Sequence, residues 1–196
     1  MTAEEEVVRD GVAAGTGDAG QGSGPRIHGI SVDGLAIELI TELTARGLSV
    51  AVAESLTGGL LTAKLIDPPG ASAVVWGGVV AYNTELKHTL LGVDSYVLAA
   101  HGAVHPDVAG RMAVGVREHC RVSGRPADIG IATTGAAGPD PQDGQPAGTV
   151  FVGISTPAGT RVSRLSLSGD RSEIRNTTVY EALLLLKNAV DELGNK

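Results

Sequence analysis

Three short runs of small aliphatic residues, each ending in glycines or hydroxyl residues, constrain the fold of this chain more than any other feature. They cover residues 48–53, 73–82 and 128–134, and the first two lead directly into helical patterns. Because strands that are covered on both faces are joined through helices, this alternation is typical of an α/β protein. The 28 glycines and the 42% of hydrophobic residues favour the same class, since they suit buried strands and tight turns.

The remaining patterns predict helices around these strands. Leu35, Leu39 and Leu43 recur every four residues and predict a helix from Val32 that ends at Gly47. Other helices are predicted up to residue 66 and over 83–90, 105–120 and 170–193, with a hairpin of 148–155 and 161–168. We therefore expect a single three-layer α/β/α domain over residues 30–196, with a mixed, mostly parallel sheet.

Residues 1–29 differ in composition from the rest of the chain. Between positions 11 and 24 the chain is rich in Gly, Ala, Ser and Asp, with almost no large apolar side chain to offset the entropy of ordering. We predict a disordered extension. Residues 15–20 match the spacing G-x-G-x-x-G, but they follow no predicted strand and open no helix, so we do not interpret them as a dinucleotide-binding motif.

Charge and composition exclude several classes of function. The net charge of −7 and the 3% of aromatic residues argue against direct nucleic-acid binding, which needs basic surfaces and stacking platforms. No apolar run is long enough to span a membrane, the acidic start is unlike a signal peptide, and Cys120 has no cysteine partner. We expect a cytoplasmic protein without a membrane partner. The four-residue spacing of His101 and His105, with Asp107 nearby, could hold a metal ion on a helix, but the predicted helix begins only at Pro106 and no further ligand is evident, so we expect no metal site.

Ligands of open α/β sheets bind beyond the carboxyl ends of strands, so residues at the three strand ends are candidates for chemistry. Ser55, at a predicted strand-to-helix corner, is a candidate nucleophile, with the alternative that it merely caps the helix. Lys87 would be its base if burial lowers the pKa of the amine; the alternative is a solvated surface charge, and His88 is a rival base. Tyr82 could orient the reacting groups. Thr134 and Gly135 end the third strand, where the alternative is an ordinary turn.

Taken in order, these stretches resemble the motifs of the CinA C-terminal-domain family, the nicotinamide-nucleotide amidases. The resemblance covers about residues 32–193. It rests on residues 53–59 (AESLTGG), 77–87 (GGVVAYNTELK), 91–93 (LGV), 101–104 (HGAV), 134–139 (TGAAGP), 146–150 (PAGTV) and 168–171 (SGDR). Leu56 stands where the family often has cysteine, and Ala136 replaces a bulkier aliphatic residue.

The resemblance implies a function and a set of site residues. The implied reaction is hydrolysis of nicotinamide mononucleotide to nicotinic acid mononucleotide and ammonia, with no metal or organic cofactor. Ser55 matches the nucleophile, Lys87 the base that activates it, and Tyr82 a tyrosine beside them. Substrate-binding roles are implied for Thr57, Gly58, Gly59, Asn83, Thr134, Gly135 and Arg171, with the Arg171 guanidinium suited to the phosphate.

Backbone N–H groups around residues 57–59 are expected to stabilise the oxyanion that forms when Ser55 attacks the amide. A homodimer is expected from the resemblance alone. Two alternatives remain open: a non-catalytic nucleotide-binding regulatory module of the competence or DNA-damage type, and a serine amidase with another amide substrate. A pure binder would not need the pair formed by Ser55 and Lys87, so we favour the enzyme.

Overall fold

A mixed six-stranded sheet organises the computed structural model, which describes residues 7–9 and 31–193. The strands are β1 (Val7–Arg9), β2 (Val50–Glu54), β3 (Val75–Val80), β4 (Ile129–Gly135), β5 (Thr149–Thr156) and β6 (Gly159–Ser166). The strand order is β1-β6-β5-β4-β2-β3, with parallel pairing of β1 with β6, β4 with β2 and β2 with β3, and antiparallel pairing of β6 with β5 and β5 with β4. The expected α/β class with a mixed, mostly parallel sheet is confirmed.

Helices cover both faces of this sheet, which gives the expected three layers. One face carries the first, second and last helices, which contact one another; the other face carries the fifth, against which the third and fourth pack. The helices are α1 (Val32–Arg46), α2 (Leu60–Ile66), α3 (Thr84–Leu91), α4 (Ser95–His101), α5 (Pro106–His119) and α6 (Arg171–Leu193), with a single 3-10 turn at Ala71–Ala73.

The two faces of the sheet differ in side-chain size. On β2, Val50 and Val52 belong to the larger core cluster beneath α1 and α6, whereas Ala51 and Ala53 face the cluster that includes α5. On the α5 side, a Cβ added at Gly130 would lie 2.1 Å from a carbonyl oxygen of α5. The small residues therefore let α5 approach the strand backbones closely.

The predicted helices and strands are confirmed to within a few residues, but the predictions do not include the helix α4, the strand β1 or the 3-10 turn at Ala71–Ala73. The short helix α4 was not predicted, because none of its side chains is buried and it has no periodic apolar stripe. The predicted disordered extension at residues 1–29 lies outside the described residues, apart from Val7–Arg9, whose backbone forms β1.

Candidate active site

The carboxyl ends of three neighbouring strands meet at one edge of the sheet. Glu54, the last residue of β2, pairs with Thr133 of β4 on one side and with Val80 of β3 on the other. Because all three strands run parallel, the residues that follow them project into the same region. The convergence expected from the strand ends is confirmed.

A buried Ser-Lys pair lies at this edge. The Nζ atom of Lys87 is 3.0 Å from the Oγ atom of Ser55 and donates a second hydrogen bond of 2.7 Å to the carbonyl oxygen of Ala81. Lys87 is fully buried and Ser55 is only 7% exposed. The alternative in which Lys87 is a solvated surface charge is therefore wrong.

Burial tunes the charge of this lysine. Desolvation of the ammonium form lowers the pKa of Lys87 from 10.5 to about 8, and the nearby negative charge of Asp143 opposes that shift. About a tenth of the amine is then neutral at pH 7, and about half at pH 8, and this form is able to accept a proton. In the charged form the ammonium donates to both Ser55 and the carbonyl of Ala81; the neutral amine has two hydrogens, so it can keep the bond to Ala81 and still turn its lone pair towards the Ser55 hydroxyl.

Helix α3 positions Lys87. The helix begins after Asn83, whose side-chain oxygen accepts the backbone N–H of Glu85, as expected of an N-cap residue. Lys87 lies one turn further on and points inward. His88, the rival base, places its Nδ1 atom 2.7 Å from the carbonyl oxygen of Val93, in contact with a different group.

Glu54, and not Ser55, caps the helix that follows β2. Its fully buried carboxylate accepts the backbone N–H groups of Gly59, Leu61 and Thr62 at 2.8–3.0 Å, and also the hydroxyl of Thr62. A carboxylate is favourable here because the first N–H groups of a helix lack intrahelical partners and carry a partial positive charge. The alternative in which Ser55 is only a cap is wrong, since its side chain bonds Lys87 instead.

The same contacts correct one detail of the expected oxyanion site. The N–H of Gly59 is taken by Glu54, and that of Gly58 donates to the carbonyl of Ser55, so the expectation that these two groups face an oxyanion is wrong. Among the described residues, no acceptor is bonded to the N–H groups of Leu56 and Thr57. Within the loop of residues 55–59, these two N–H groups are the ones left without an acceptor.

A small pocket of about 110 Å³ opens onto Ser55, and its lining includes several predicted residues. It is lined by Ser55, Leu56, Tyr82, Gly135, Ala137, Gln142 and Arg171. Arg171 donates to the Tyr82 hydroxyl and to the carbonyl of Gly138, each at 2.9 Å, and Tyr82 is 58% exposed. The rim of the pocket thus carries a guanidinium and a phenol that solvent reaches.

Other predicted site residues lie nearby, but their side chains serve the framework. The hydroxyls of Thr57 and Thr133 are 2.7 Å apart in the interior, and that of Thr134 donates to the carbonyl of Ala103. Asn83 caps α3. Leu56 is buried with its side chain in the larger core cluster, so its presence in the pocket lining indicates that its backbone is what the pocket meets.

Two further residues at the site were missed by the sequence reasoning. Arg175 of α6 donates to the carbonyls of Leu56 and Thr57, and Asp143 accepts the N–H groups of Ala103 and Val104. The four-residue spacing from Arg171 is a signal that would have found Arg175, since residues i and i+4 share one face of a helix. For Asp143 we find no comparable signal.

His101 and His105, which the sequence suggested as metal ligands, have local structural roles. His105 caps α5 by accepting the N–H of Asp107, and its ring stacks on that of His101 with centroids 4.2 Å apart. Residues 7–9 and 31–193 contain no group of three side chains suited to hold a metal ion. No helix in that part of the chain has the length and apolarity needed to cross a membrane.

Comparisons with known proteins agree with this architecture. A family model described as the CinA C-terminal domain matches residues 32–190. A CinA-like protein of Frankia casuarinae is 45% identical over 172 residues, covering 88% of this chain but only 39% of that relative. The chain thus spans about two fifths of the length of such curated relatives.

Solved structures give the same picture. A competence/damage inducible protein of Agrobacterium tumefaciens aligns with a TM-score of 0.75 and 36% identity, covering 82% of this chain and 95% of that one. A CinA superfamily protein of Klebsiella pneumoniae aligns with a TM-score of 0.77 and 32% identity, covering 83% and 99%. Neither name states a reaction.

Proposed function

The chain belongs to the CinA C-terminal domain family, and we propose that it is a cytosolic amidohydrolase converting nicotinamide mononucleotide to nicotinic acid mononucleotide and ammonia. One observation carries the proposal: the fully buried amine of Lys87, with its lowered pKa, lies 3.0 Å from the hydroxyl of Ser55. Burying a lysine is costly, and a structural role would not require a hydroxyl partner at the mouth of a pocket.

In the proposed reaction the neutral amine of Lys87 accepts the proton of Ser55 while Oγ attacks the carboxamide carbon. The N–H groups of Leu56 and Thr57 donate to the oxyanion of the tetrahedral intermediate. Lys87 returns the proton to the departing nitrogen, ammonia leaves, and an acyl-enzyme remains on Ser55. Water, deprotonated by the same amine, then hydrolyses the ester and releases the carboxylate product.

Arg171 and Tyr82 are proposed to hold the nucleotide. The Arg171 guanidinium lies at the pocket rim, where it can grip the substrate phosphate with two parallel hydrogen bonds. The chain has a net charge of −7, which repels an anion at long range, so this local cation must supply the attraction. The proposal involves no metal or organic cofactor, and a second copy of the chain remains an expected partner.

A non-catalytic regulatory module is the second candidate. It is favoured by the names of similar proteins, such as the competence/damage inducible protein of Agrobacterium tumefaciens, which describe a response and no chemistry. A module of this kind would bind the nucleotide through Arg171 and would gain nothing from burying Lys87 beside Ser55.

The test is release of ammonia from nicotinamide mononucleotide by the purified chain, compared with the Ser55→Ala and Lys87→Met variants. We expect turnover by the unmodified chain and a loss of about a thousandfold or more in both variants. Lys64→Met is the matched control, because Lys64 lies in exposed ion pairs with Asp33 and Asp67. Nucleotide binding without ammonia release would overturn the enzyme and favour the module; full activity in Ser55→Ala would remove the nucleophile.

A further inference from the structure

Arg175 makes two hydrogen bonds to the loop that follows the nucleophile. Its Nε atom donates to the carbonyl oxygen of Leu56 at 2.8 Å, and its Nη2 atom donates to that of Thr57 at 3.0 Å. Both bonds are part-buried and join positions more than 100 residues apart. Helix α6 therefore binds the backbone of the loop between β2 and α2 through this side chain.

We propose that Arg175 is a positioning residue that orients the oxyanion site, by holding the carbonyl of Leu56 so that the N–H group of Thr57, on the same peptide, faces the pocket. The proposal rests on the proposed Ser-Lys chemistry and adds to it a residue that the family motifs quoted above do not include.

The geometry of the peptide bond carries the argument. In a trans peptide the C=O and N–H groups point in opposite directions. Since Arg175 binds the carbonyl of Leu56, the N–H of Thr57 points away from α6. The carbonyl of Ser55 accepts the N–H of Gly58, so the N–H of Leu56 points away from that turn. The direction of each unbonded N–H group is thus fixed by the hydrogen bond that the carbonyl of the same peptide accepts.

No other described group replaces Arg175 in this role. The carbonyl of Thr57 also accepts the N–H of Leu60, but the carbonyl of Leu56 has no bond other than that to Arg175 within the described residues. The loop continues through two glycines with positive φ, Gly58 at 60° and Gly59 at 100°, which have wide conformational freedom. Without the guanidinium, the peptide between Leu56 and Thr57 is free to rotate and its donor is lost from the site.

An oxyanion donor acts mainly in the transition state, and this separates Arg175 from a residue that merely supports the fold. We expect Arg175→Met to lower kcat for nicotinamide mononucleotide by about tenfold or more while KM changes less than about threefold. The pH midpoint of the rate should not move, because Arg175 does not contact Lys87. Arg175→Lys, which keeps the charge but lacks the planar fork, should lose nearly as much.

The experiment measures kcat, KM and the pH profile for these two variants and for Arg161→Met, a control arginine in an exposed ion pair with Glu192. A second substrate, p-nitrophenyl acetate, reports acylation of Ser55 without the nucleotide. Its initial release of p-nitrophenolate should be absent in Ser55→Ala and should fall in Arg175→Met by the same factor as kcat.

The two substrates separate the proposals. If only p-nitrophenyl acetate acylates Ser55, the nucleotide is not the substrate, and the role of Arg175 is then tested by the rate of p-nitrophenolate release. If neither substrate reacts through Ser55, both proposals fail. A kcat of Arg175→Met within twofold of the unmodified chain overturns the role of Arg175. Equal changes in kcat and KM, or a shifted pH midpoint, also overturn it. If circular dichroism shows that Arg175→Met is unfolded, Arg175→Lys is held to the same criteria.

Discussion

The amine of Lys87 and the hydroxyl of Ser55 lie 3.0 Å apart although 32 positions separate them and each follows a different strand. The contact exists because β2 and β3 are parallel neighbours whose carboxyl ends meet, so that the first turn of α3 overhangs the end of β2. Most of what we predict for this protein depends on the protonation and the environment of this pair.

The rate of amide hydrolysis should depend on the neutral form of Lys87. Since burial lowers the pKa of this amine to about 8, kcat/KM should rise with pH through about 8 and then level off. Initial rates of ammonia release, taken across this pH range in buffers of constant ionic strength, give the midpoint of the rising limb of the pH profile. A rate that falls as the pH rises from 7 to 8 would mean that the active form of the base is the protonated one.

Asp143 should determine the pH at which this rate rises. Its negative charge favours the ammonium form of Lys87, so Asp143→Asn should lower the pKa of the amine and shift the rising limb to lower pH. An asparagine oxygen can still accept the N–H of Ala103, so the loop contact is retained. Asp140→Asn, on the same loop, is the control and should leave the midpoint in place; a shift of the Asp143→Asn limb to higher pH would contradict the prediction.

Lys87 should cost the protein stability at neutral pH. The pKa of the amine is about 8 in the folded chain and 10.5 in the unfolded one, so the unfolded chain binds more protons between these values and stability rises with pH across that window. Lys87→Met should therefore raise the free energy of unfolding at pH 7, with a gain that shrinks towards pH 10. Urea denaturation at the two pH values measures this difference. A variant that is less stable at pH 7 would show that the contacts of the amine outweigh its desolvation.

Glu54 should be important for stability. Its carboxylate accepts three backbone N–H groups at the start of α2, and Glu54→Gln would place an amide NH2 group against one or more of those donors. We expect a loss of about 2 kcal/mol in the free energy of unfolding, measured by chemical denaturation. Glu85→Gln is a matched control in the first turn of α3, where the side chain is exposed, and should cost less than about 0.5 kcal/mol.

Arg171→Met should affect binding more than chemistry. If the guanidinium grips the substrate phosphate, the variant should raise KM for nicotinamide mononucleotide by about tenfold or more with little change in kcat. For nicotinamide riboside, which lacks the phosphate, the variant and the unmodified chain should have similar kcat/KM. An equal loss with both substrates would place the role of Arg171 in holding Tyr82, to which it donates a hydrogen bond of 2.9 Å.

Local patterns were enough to predict most of the helices and strands. Gly47 ends α1 in the left-handed conformation, as its place after the last apolar repeat indicated. Asn83, for which the resemblance implied a substrate-binding role, caps α3 with its side chain. The helix α4 is not indicated by such local patterns, because only Val97 and Leu98 pack against the core and neither is fully buried. Ser55 and Lys87 could be named beforehand because each follows the end of a predicted strand and because their motifs resemble those of a known family.

The sequence by itself determined the helices and strands, because helix caps, helix-breaking residues and apolar periodicity act within a few residues. Which donors remain available to an oxyanion was decided only by the tertiary structure. Glu54 takes the N–H of Gly59, and Arg175 reaches the Leu56 carbonyl from 119 positions away. The lowered pKa of Lys87 is likewise a tertiary property. Desolvation depends on the side chains that surround a group, and strand pairing and helix packing bring these together from distant parts of the chain.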